Sequence, residues 1–262
     1  MSRFGVTTWA AIGIATVSAL VLPDPKRTLA ALAVWLVYLP IVICGMWLIG
    51  MNFFCRAQCR GHSGNMKVAL TFDDGPDPAS TPQLLDLLAR EGIPATFFCI
   101  GRNVAAHPQL AARIVSEGHL LGNHSYRHPW FFSALFGRWL RRELDRAQRA
   151  IEEAAGVRPR FFRPPNGMTS PHLPGALRRA GLSLVGWDVR SFDTIASSPW
   201  AIRRVVRKTR DGSIILLHDG GVQVQQLLEI VSTSAAELRS RGFQFERMDR
   251  ILEQPQPAAA SD

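Results

Sequence analysis

The pattern of apolar and charged positions divides the chain into two unlike parts. Two uncharged runs, 5–22 and 28–54, fill the amino end, and most of the charge lies after position 54. Each run is long enough for a membrane-spanning helix, which needs about 20 residues. Prolines and charges in the turn at 23–27 end one helix and begin the next. The sequence therefore predicts a transmembrane helical hairpin within residues 1–60, which places both of its ends on the same side of the membrane.

A cleaved signal peptide is the alternative for the first run, because Arg3 gives it a basic start and Ala19 lies in a weak cleavage pattern. The second apolar run follows at once, which favours the hairpin. The hairpin predicts a multi-pass protein of the inner (cytoplasmic) membrane. The charges at its outer ends outnumber those in its turn, so the positive-inside rule favours a cytoplasmic location for the rest of the chain.

After the hairpin, short apolar runs typical of strands alternate with stretches of helical periodicity. Strands are predicted at 68–72, 95–100, 120–123, 160–163, 182–189, 213–217 and 243–248. Helices are predicted between them at 82–91, 104–117, 139–155, 173–180, 201–209 and 224–241. This alternation indicates an α/β domain of parallel strands joined by crossover helices, as an open sheet or a barrel, over residues 61–253. The Pro- and Ala-rich end, 254–262, is predicted to be a disordered tail.

The formal net charge of +9 raises the question of an anionic partner. Nucleic acid is one candidate, but the arginines are scattered along predicted helices without interleaved aromatic residues. A basic face beside membrane lipid head groups fits better. The sequence thus predicts membrane lipid as a partner, no nucleic acid and no obligate protein partner.

Titratable residues follow three of the predicted strands. Asp73 and Asp74 end the first strand, and adjacent carboxylates there are costly to bury unless they are paired or bind a metal. His124 and His128 follow the third strand, and a helical turn would direct both imidazoles to one ion. His218 ends another strand, and histidine is well suited to donate a proton near neutral pH. Together these residues favour a metal site with an acid and a base beside it.

The strings TFDDGP, HSYRH, RPPNG and LLHD, in this order and spacing, resemble the polysaccharide deacetylase family, also called the NodB-homology domain or carbohydrate esterase family four. The resemblance covers about residues 67–248. It implies a distorted (β/α)7 barrel that binds a divalent metal, zinc by default, with cobalt and nickel as alternatives.

The resemblance also implies a role for each motif residue. The implied metal ligands are Asp74, His124 and His128. The implied catalytic residues are Asp73 as general base, Arg163 as its partner, His218 as general acid and Asp193 as the support of that histidine. The reaction would be hydrolysis, in which water attacks the acyl carbon and the sugar nitrogen leaves as an amine.

Two departures from the family pattern concern the substrate. Asn166 stands where the family commonly has an aromatic residue, although its backbone N–H can still serve the oxyanion. Arg190 replaces an acidic residue and Thr194 a tryptophan, which favours an anionic substrate or a different sugar platform. We therefore predict that Pro165, Asn166 and Arg190 contact the substrate.

Three functions follow from these observations. The first is a metal-dependent hydrolase that removes N-acetyl or related acyl groups from amino sugars of a polysaccharide or cell-envelope glycan. The second is the same hydrolysis on a membrane glycolipid, such as a polyprenyl-phosphate-linked sugar or lipid A, which the hairpin and the basic charge favour. The third is an inactive carbohydrate-binding module, which the intact motif residues disfavour.

Overall fold

A helical hairpin begins the computed structural model, which describes residues 2–62, 64–134 and 136–253; the tail predicted at 254–262 lies outside this range. Helix α1 spans Arg3–Val21 and helix α2 spans Lys26–Trp47. Both are long and apolar enough to cross a membrane, by length and composition. No residue of α1 is buried, and Gly45 alone is buried in α2. The exposed apolar surface of both helices agrees with the predicted hairpin.

The second helix is shorter than its apolar run predicts. It ends at Trp47, and a 3₁₀ turn at Ile49–Met51 follows instead of a helix that continues to position 54. The chain folds back there, and the ring of Phe53 packs directly on the helix at Gly45. Only glycine allows this approach, because a Cβ at position 45 would lie 2.2 Å from the Phe53 ring. Phe53 is thereby buried, and its ring also packs against Phe4 of the first helix.

The remaining described elements alternate between strands and helices. They are β1 Lys67–Asp73, α3 Thr81–Glu91, β2 Ala95–Cys99, α4 Gly101–Ala106, α5 Pro108–Ser116, β3 Leu120–Asn123, α6 Gly137–Ala155, β4 Phe161–Phe162, α7 Leu173–Ala180, β5 Ser183–Leu184, β6 Val189–Arg190, α8 Ser198–Lys208, β7 Ile214–His218, α9 Val224–Ser240, β8 Gln244–Phe245 and α10 Met248–Leu252. The helix predicted at 104–117 is broken between α4 and α5, because Pro108 lacks the N–H that a continuous helix requires.

The strands form one parallel sheet in the order β5-β4-β3-β2-β1-β7-β6, and β8 pairs with the start of β1. The edge strands β5 and β6 are separated in the chain by residues 185–188 alone. This short connection brings the two edges together and curls the sheet into a distorted barrel. The predicted α/β barrel class is therefore confirmed.

The strand predicted at 182–189 is wrong as a continuous element. Its first half pairs with β4, and the Val185 N–H donates to the carbonyl of Phe162 at 2.9 Å. Its second half pairs with β7, and the Asp188 N–H donates to the carbonyl of Ile214 at 3.3 Å. The segment changes partners because it joins opposite edges of the curled sheet, so the described chain has eight strands and not seven.

The core lies between the sheet and the surrounding helices. The side chains of β1 are buried from Val68 to its end, on both faces of the strand, as expected for a parallel strand that is covered on both sides. Because the strands are parallel, their carboxyl ends share one edge of the barrel. Asp73 ends β1 and His218 ends β7, and the two are register partners across the strand pair.

Candidate active site

A carboxylate and two imidazoles converge at this edge. Oδ1 of Asp74 lies 3.4 Å from Nε2 of His124 and 3.3 Å from Nε2 of His128. One ligand atom from each residue lies within 4.8 Å of the other two. The structure thus brings together the three residues that the sequence predicts as metal ligands.

The loop after β3 positions the two histidines, but it is not the helical turn that the sequence predicts. Ser125 and His128 have left-handed backbone angles, with φ of 62° and 53°. The buried carboxylate of Glu143 accepts the backbone N–H groups of Tyr126 and Arg127 at 3.1 and 2.7 Å. In a helical turn, backbone carbonyls would accept these N–H groups. Here the Glu143 carboxylate accepts them instead, so the loop needs no helical hydrogen bonds.

The tautomer of His124 is set by its other ring nitrogen. Nδ1 lies 2.7 Å from the carbonyl oxygen of Arg163. Because a carbonyl can only accept, Nδ1 carries the proton and Nε2 offers its lone pair to the site. A hydrogen bond of this kind is common behind metal-binding histidines.

The three residues fit a metal ion. Ligands about 2.0–2.1 Å from a tetrahedral zinc lie about 3.4 Å apart, which agrees with the distances between Asp74 and each histidine. Oδ1 of Asp74 is buried and has no hydrogen-bond partner in the described part of the chain. Burial alone would raise the pKa of Asp74, but contact with His124 and the charges of His128 and His218 lower it to about 2. An ionised carboxylate is therefore available to a cation.

A buried ion pair lies next to the triad. Nη1 of Arg163 donates to Oδ1 of Asp73 at 2.7 Å and to the hydroxyl of Thr71 at 2.8 Å, and Nη2 donates to the carbonyl of Gly186 at 2.9 Å. The other oxygen of Asp73 lies 3.9 Å from Nε2 of His124. This arrangement holds one Asp73 oxygen on the arginine and leaves the other directed at the triad.

A second carboxylate–histidine pair occupies the end of β7. Oδ1 of Asp193 lies 3.0 Å from Nδ1 of His218, and Oδ2 accepts the His218 backbone N–H at 2.7 Å. The hydroxyl of Ser191 donates to Oδ1 of Asp193 at 2.7 Å. Burial would lower the pKa of His218, but Asp193, with the charges of Asp73 and Asp74, raises it above its usual value. His218 is therefore held in place and favoured in its protonated form.

Asp219 is a residue of the site that the motifs do not assign. It is fully buried, and its backbone N–H donates to the carbonyl of Asp73 at 3.0 Å. Its Oδ2 accepts the hydroxyl of Thr81 at 2.6 Å, and its Oδ1 has no partner among the described residues. Burial, reinforced by the charges of Asp74 and Asp73, raises the pKa of Asp219 to about 7. The sequence feature that could have identified Asp219 as a site residue is its position directly after His218, at the end of an apolar strand.

Comparison with known proteins identifies the family. Residues 60–185 match the family model described as polysaccharide deacetylase. The chain is 42% identical over 171 residues to a chitooligosaccharide deacetylase of Sinorhizobium fredii, covering 64% of this chain and 78% of that protein. This chain belongs to the polysaccharide deacetylase family.

Solved structures of the family share the fold. A crystal structure of a peptidoglycan N-acetylglucosamine deacetylase superposes with a TM-score of 0.70 at 31% identity, covering 75% of this chain and 92% of that one. A family pseudoenzyme from Bacillus anthracis also superposes, with a TM-score of 0.69 at 28% identity, covering 74% of this chain and 68% of that one. The polysaccharide deacetylase fold therefore occurs in active and in inactive proteins. The fold alone does not establish activity, which depends on the motif residues.

The predicted substrate residues lie in two places on this deacetylase fold. Pro165 and Asn166 belong to the tight turn after Arg163, where Asn166 is exposed and has a left-handed φ of 56°. Arg190 is exposed on β6, and its guanidinium lies 4.9 Å from the ring centre of Phe192. Its role in substrate binding stays a prediction.

Proposed function

We propose that this chain is a metal-dependent hydrolase that removes the N-acetyl group from an amino sugar of a cell-envelope glycan. One observation carries the proposal. The Asp74–His124–His128 triad lies beside an arginine-held carboxylate, Asp73. His218 completes the site as a histidine held by Asp193. The two relatives named as deacetylases, one for chitooligosaccharide and one for peptidoglycan, support the same reaction.

The triad would hold the metal, and zinc is the default for a His₂Asp ligand set. When bound, such an ion polarises the acyl carbonyl and lowers the pKa of water. Asp73 would accept a proton from the attacking water, because Arg163 fixes its carboxylate next to the triad. Oxygen from water then joins the acyl carbon, and the bond from that carbon to the sugar nitrogen breaks.

His218 would supply the proton that the departing nitrogen requires. Its ring is held at Nδ1 by Asp193, which leaves Nε2 for the leaving group. The raised pKa of His218 keeps more of it protonated near neutral pH. The backbone N–H of Asn166, in the exposed turn after Arg163, would stabilise the developing oxyanion. Acetate and a free amine are the products.

A metal-depletion experiment tests this function. The purified full-length protein should release acetate from N-acetylated chito-oligosaccharide, lose that activity with chelator and regain it with zinc. Asp74→Asn should lose activity without rescue by zinc. Asp145→Asn, an exposed carboxylate on α6, is the matched control and should keep activity. Activity that persists in chelator would overturn the metal mechanism.

We also infer that the two apolar helices span the inner membrane as a hairpin. The positive-inside argument favours a cytoplasmic catalytic domain. A reporter fused within the loop near Gly64, active on one side of the membrane alone, measures the orientation. Periplasmic activity of that reporter would reverse the predicted side.

A further inference from the structure

Exposed aromatic side chains cluster immediately after the metal ligand His128. Outside the hairpin, five aromatic side chains of the described chain are strongly exposed, and four of them lie between positions 130 and 139. These four form what we call the aromatic rim: Trp130, Phe131, Phe136 and Trp139. Trp130 is 79% exposed and Phe136 is 70% exposed. Leaving such rings in water is costly, so their grouping indicates an interaction surface.

The rim is connected to the end of the membrane hairpin. Ser133, within the rim segment, contacts Sδ of Met168 at 4.0 Å. The next residue, Thr169, donates its N–H to the carbonyl of Met46 at 2.9 Å and its hydroxyl to that of Gly45 at 3.2 Å. Both carbonyls belong to the last turn of α2. The rim therefore lies at the end of the hairpin from which the chain enters the catalytic domain.

A shared apolar cluster also links the same two regions. Ile49, just after α2, and Phe132, within the rim segment, are buried members of one apolar cluster. Both side chains are nearly inaccessible to water, so one buried cluster includes a residue of the rim segment and a residue of the turn after α2. The four rim side chains project outward from this packed base.

The mouth of the active site shares this location. His128 lies two positions before Trp130, and Asn166 lies three positions before Thr169. The loops that carry the metal ligand and the oxyanion turn thus both lead directly to the hairpin end. A membrane that contains the hairpin would lie beside the site.

The charge around the rim suits a surface of lipid phosphates. Phe131 and Trp139 line a cavity of about 340 Å³ together with Arg127, Arg142 and Arg146. The single carboxylate in that cavity, Glu143, is already engaged by two backbone N–H groups. Aromatic rings beside arginines are the composition found at the head-group layer of membranes.

We propose that the aromatic rim lies in the head-group layer of the membrane that the hairpin spans, so that the site receives an N-acylated amino sugar carried on a membrane lipid phosphate. The chemistry of this substrate rests on the proposed function. The membrane contact of the rim does not.

The membrane contact can be measured without activity. The full-length protein is placed in phosphatidylcholine–phosphatidylglycerol vesicles that contain lipids with a nitroxide near the head group. The difference in fluorescence between wild type and Trp130→Phe isolates the emission of Trp130, and Trp200→Phe does the same for an exposed tryptophan on α8. Strong quenching of Trp130 and weak quenching of Trp200 are expected. Equal quenching of the two would overturn the membrane contact.

The substrate class is tested by comparing two substrates. The double variant Trp130→Ser, Phe136→Ser should lose at least tenfold in activity on polyprenyl-phosphate-linked N-acetylglucosamine in these vesicles. Its activity on soluble N-acetylated chito-oligosaccharide should change less than twofold, and Trp200→Ser should alter neither. Equal losses on both substrates, or wild-type activity on the soluble substrate alone, would overturn the lipid-linked substrate. Wild-type inactivity on both would contradict the proposed function, and the quenching result would still decide the rim contact.

Discussion

Nη1 of Arg163 donates to Oδ1 of Asp73 at 2.7 Å, and the arginine is fully buried. The guanidinium also stacks on Phe98, with 4.1 Å between its carbon and the ring centre. Burial lowers the pKa of Arg163, and the Asp73 charge opposes that effect. Each charge of the pair therefore depends on the other for its stabilisation, because both side chains are buried away from water.

Removal of the arginine should be costly for stability and activity. Arg163→Met leaves the Asp73 carboxylate buried without its cation, and breaking a buried ion pair costs about 3–5 kcal/mol. Urea unfolding should show this loss, and turnover should fall because Asp73 is no longer oriented. Arg158→Met removes an exposed arginine and should change stability by less than about 0.5 kcal/mol. A stable Arg163→Met enzyme with normal turnover would refute the role assigned to the pair.

Loss of the proposed acid should separate turnover from metal binding. His218 contacts Asp193 and is not a member of the metal triad. His218→Ala should therefore lower kcat by about 10²–10⁴, the usual contribution of general acid–base catalysis, and leave the zinc content unchanged. His172→Ala, an exposed histidine outside the motifs, is the control. Parallel loss of zinc and turnover would instead indicate a structural role for His218.

The pH dependence of catalysis should report on Asp193. Burial acts to lower the pKa of His218 and Asp193 acts to raise it, with a net increase. Asp193→Asn removes the raising charge, so the pKa of His218 should fall and its acid form should be lost at lower pH. The alkaline limb of kcat/KM should then move to lower pH, and a pH–rate profile of each enzyme measures this shift.

Ser191→Ala provides the matched control for this shift. It removes the hydroxyl that donates to Asp193 but keeps the carboxylate charge. Its alkaline limb should move less than that of Asp193→Asn. Identical profiles for wild type and Asp193→Asn would exclude His218 as the acid seen on that limb.

Asp219 should make the metal-free protein less stable as pH rises. The pKa of Asp219 is about 7 in the folded protein, above its ordinary value of 3.8. The contribution of Asp219 to the free energy of unfolding is therefore complete below pH 3.8 and is lost as the pH rises toward 7. Asp219→Asn cannot ionise, so in chelator its free energy of unfolding should rise relative to that of wild type by about 3–4 kcal/mol between pH 4 and 8. Urea unfolding at several pH values measures this difference. Asp145→Asn keeps Asp219 and should follow the pH dependence of wild type. A parallel pH trend for wild type and Asp219→Asn would contradict the raised pKa of Asp219.

The sequence by itself determined the residue types and positions of the site. Asp73, Asp74 and His218 follow apolar strands directly, and parallel strands end at one edge of a sheet. Local periodicity was therefore enough to predict that these side chains meet. The same reasoning found the two apolar helices, because length and hydropathy are properties of each segment alone.

Tertiary structure decided the features that join distant positions. The segment 182–189 had the pattern of one strand, yet it joins opposite edges of the barrel. Its backbone partners Phe162 and Ile214 lie far apart in the sequence, so no local pattern could predict this change of edge. Glu143 supports the histidine loop from α6. Its spacing from Leu140 places it on the buried face of the helix, but no local pattern indicates which loop it contacts. The contact of Thr169 with the end of α2 is equally non-local. Local pattern specifies what each segment can form, whereas the packing of segments specifies which of them meet, and here that packing joins the segment after Asn166 to the end of the helical hairpin.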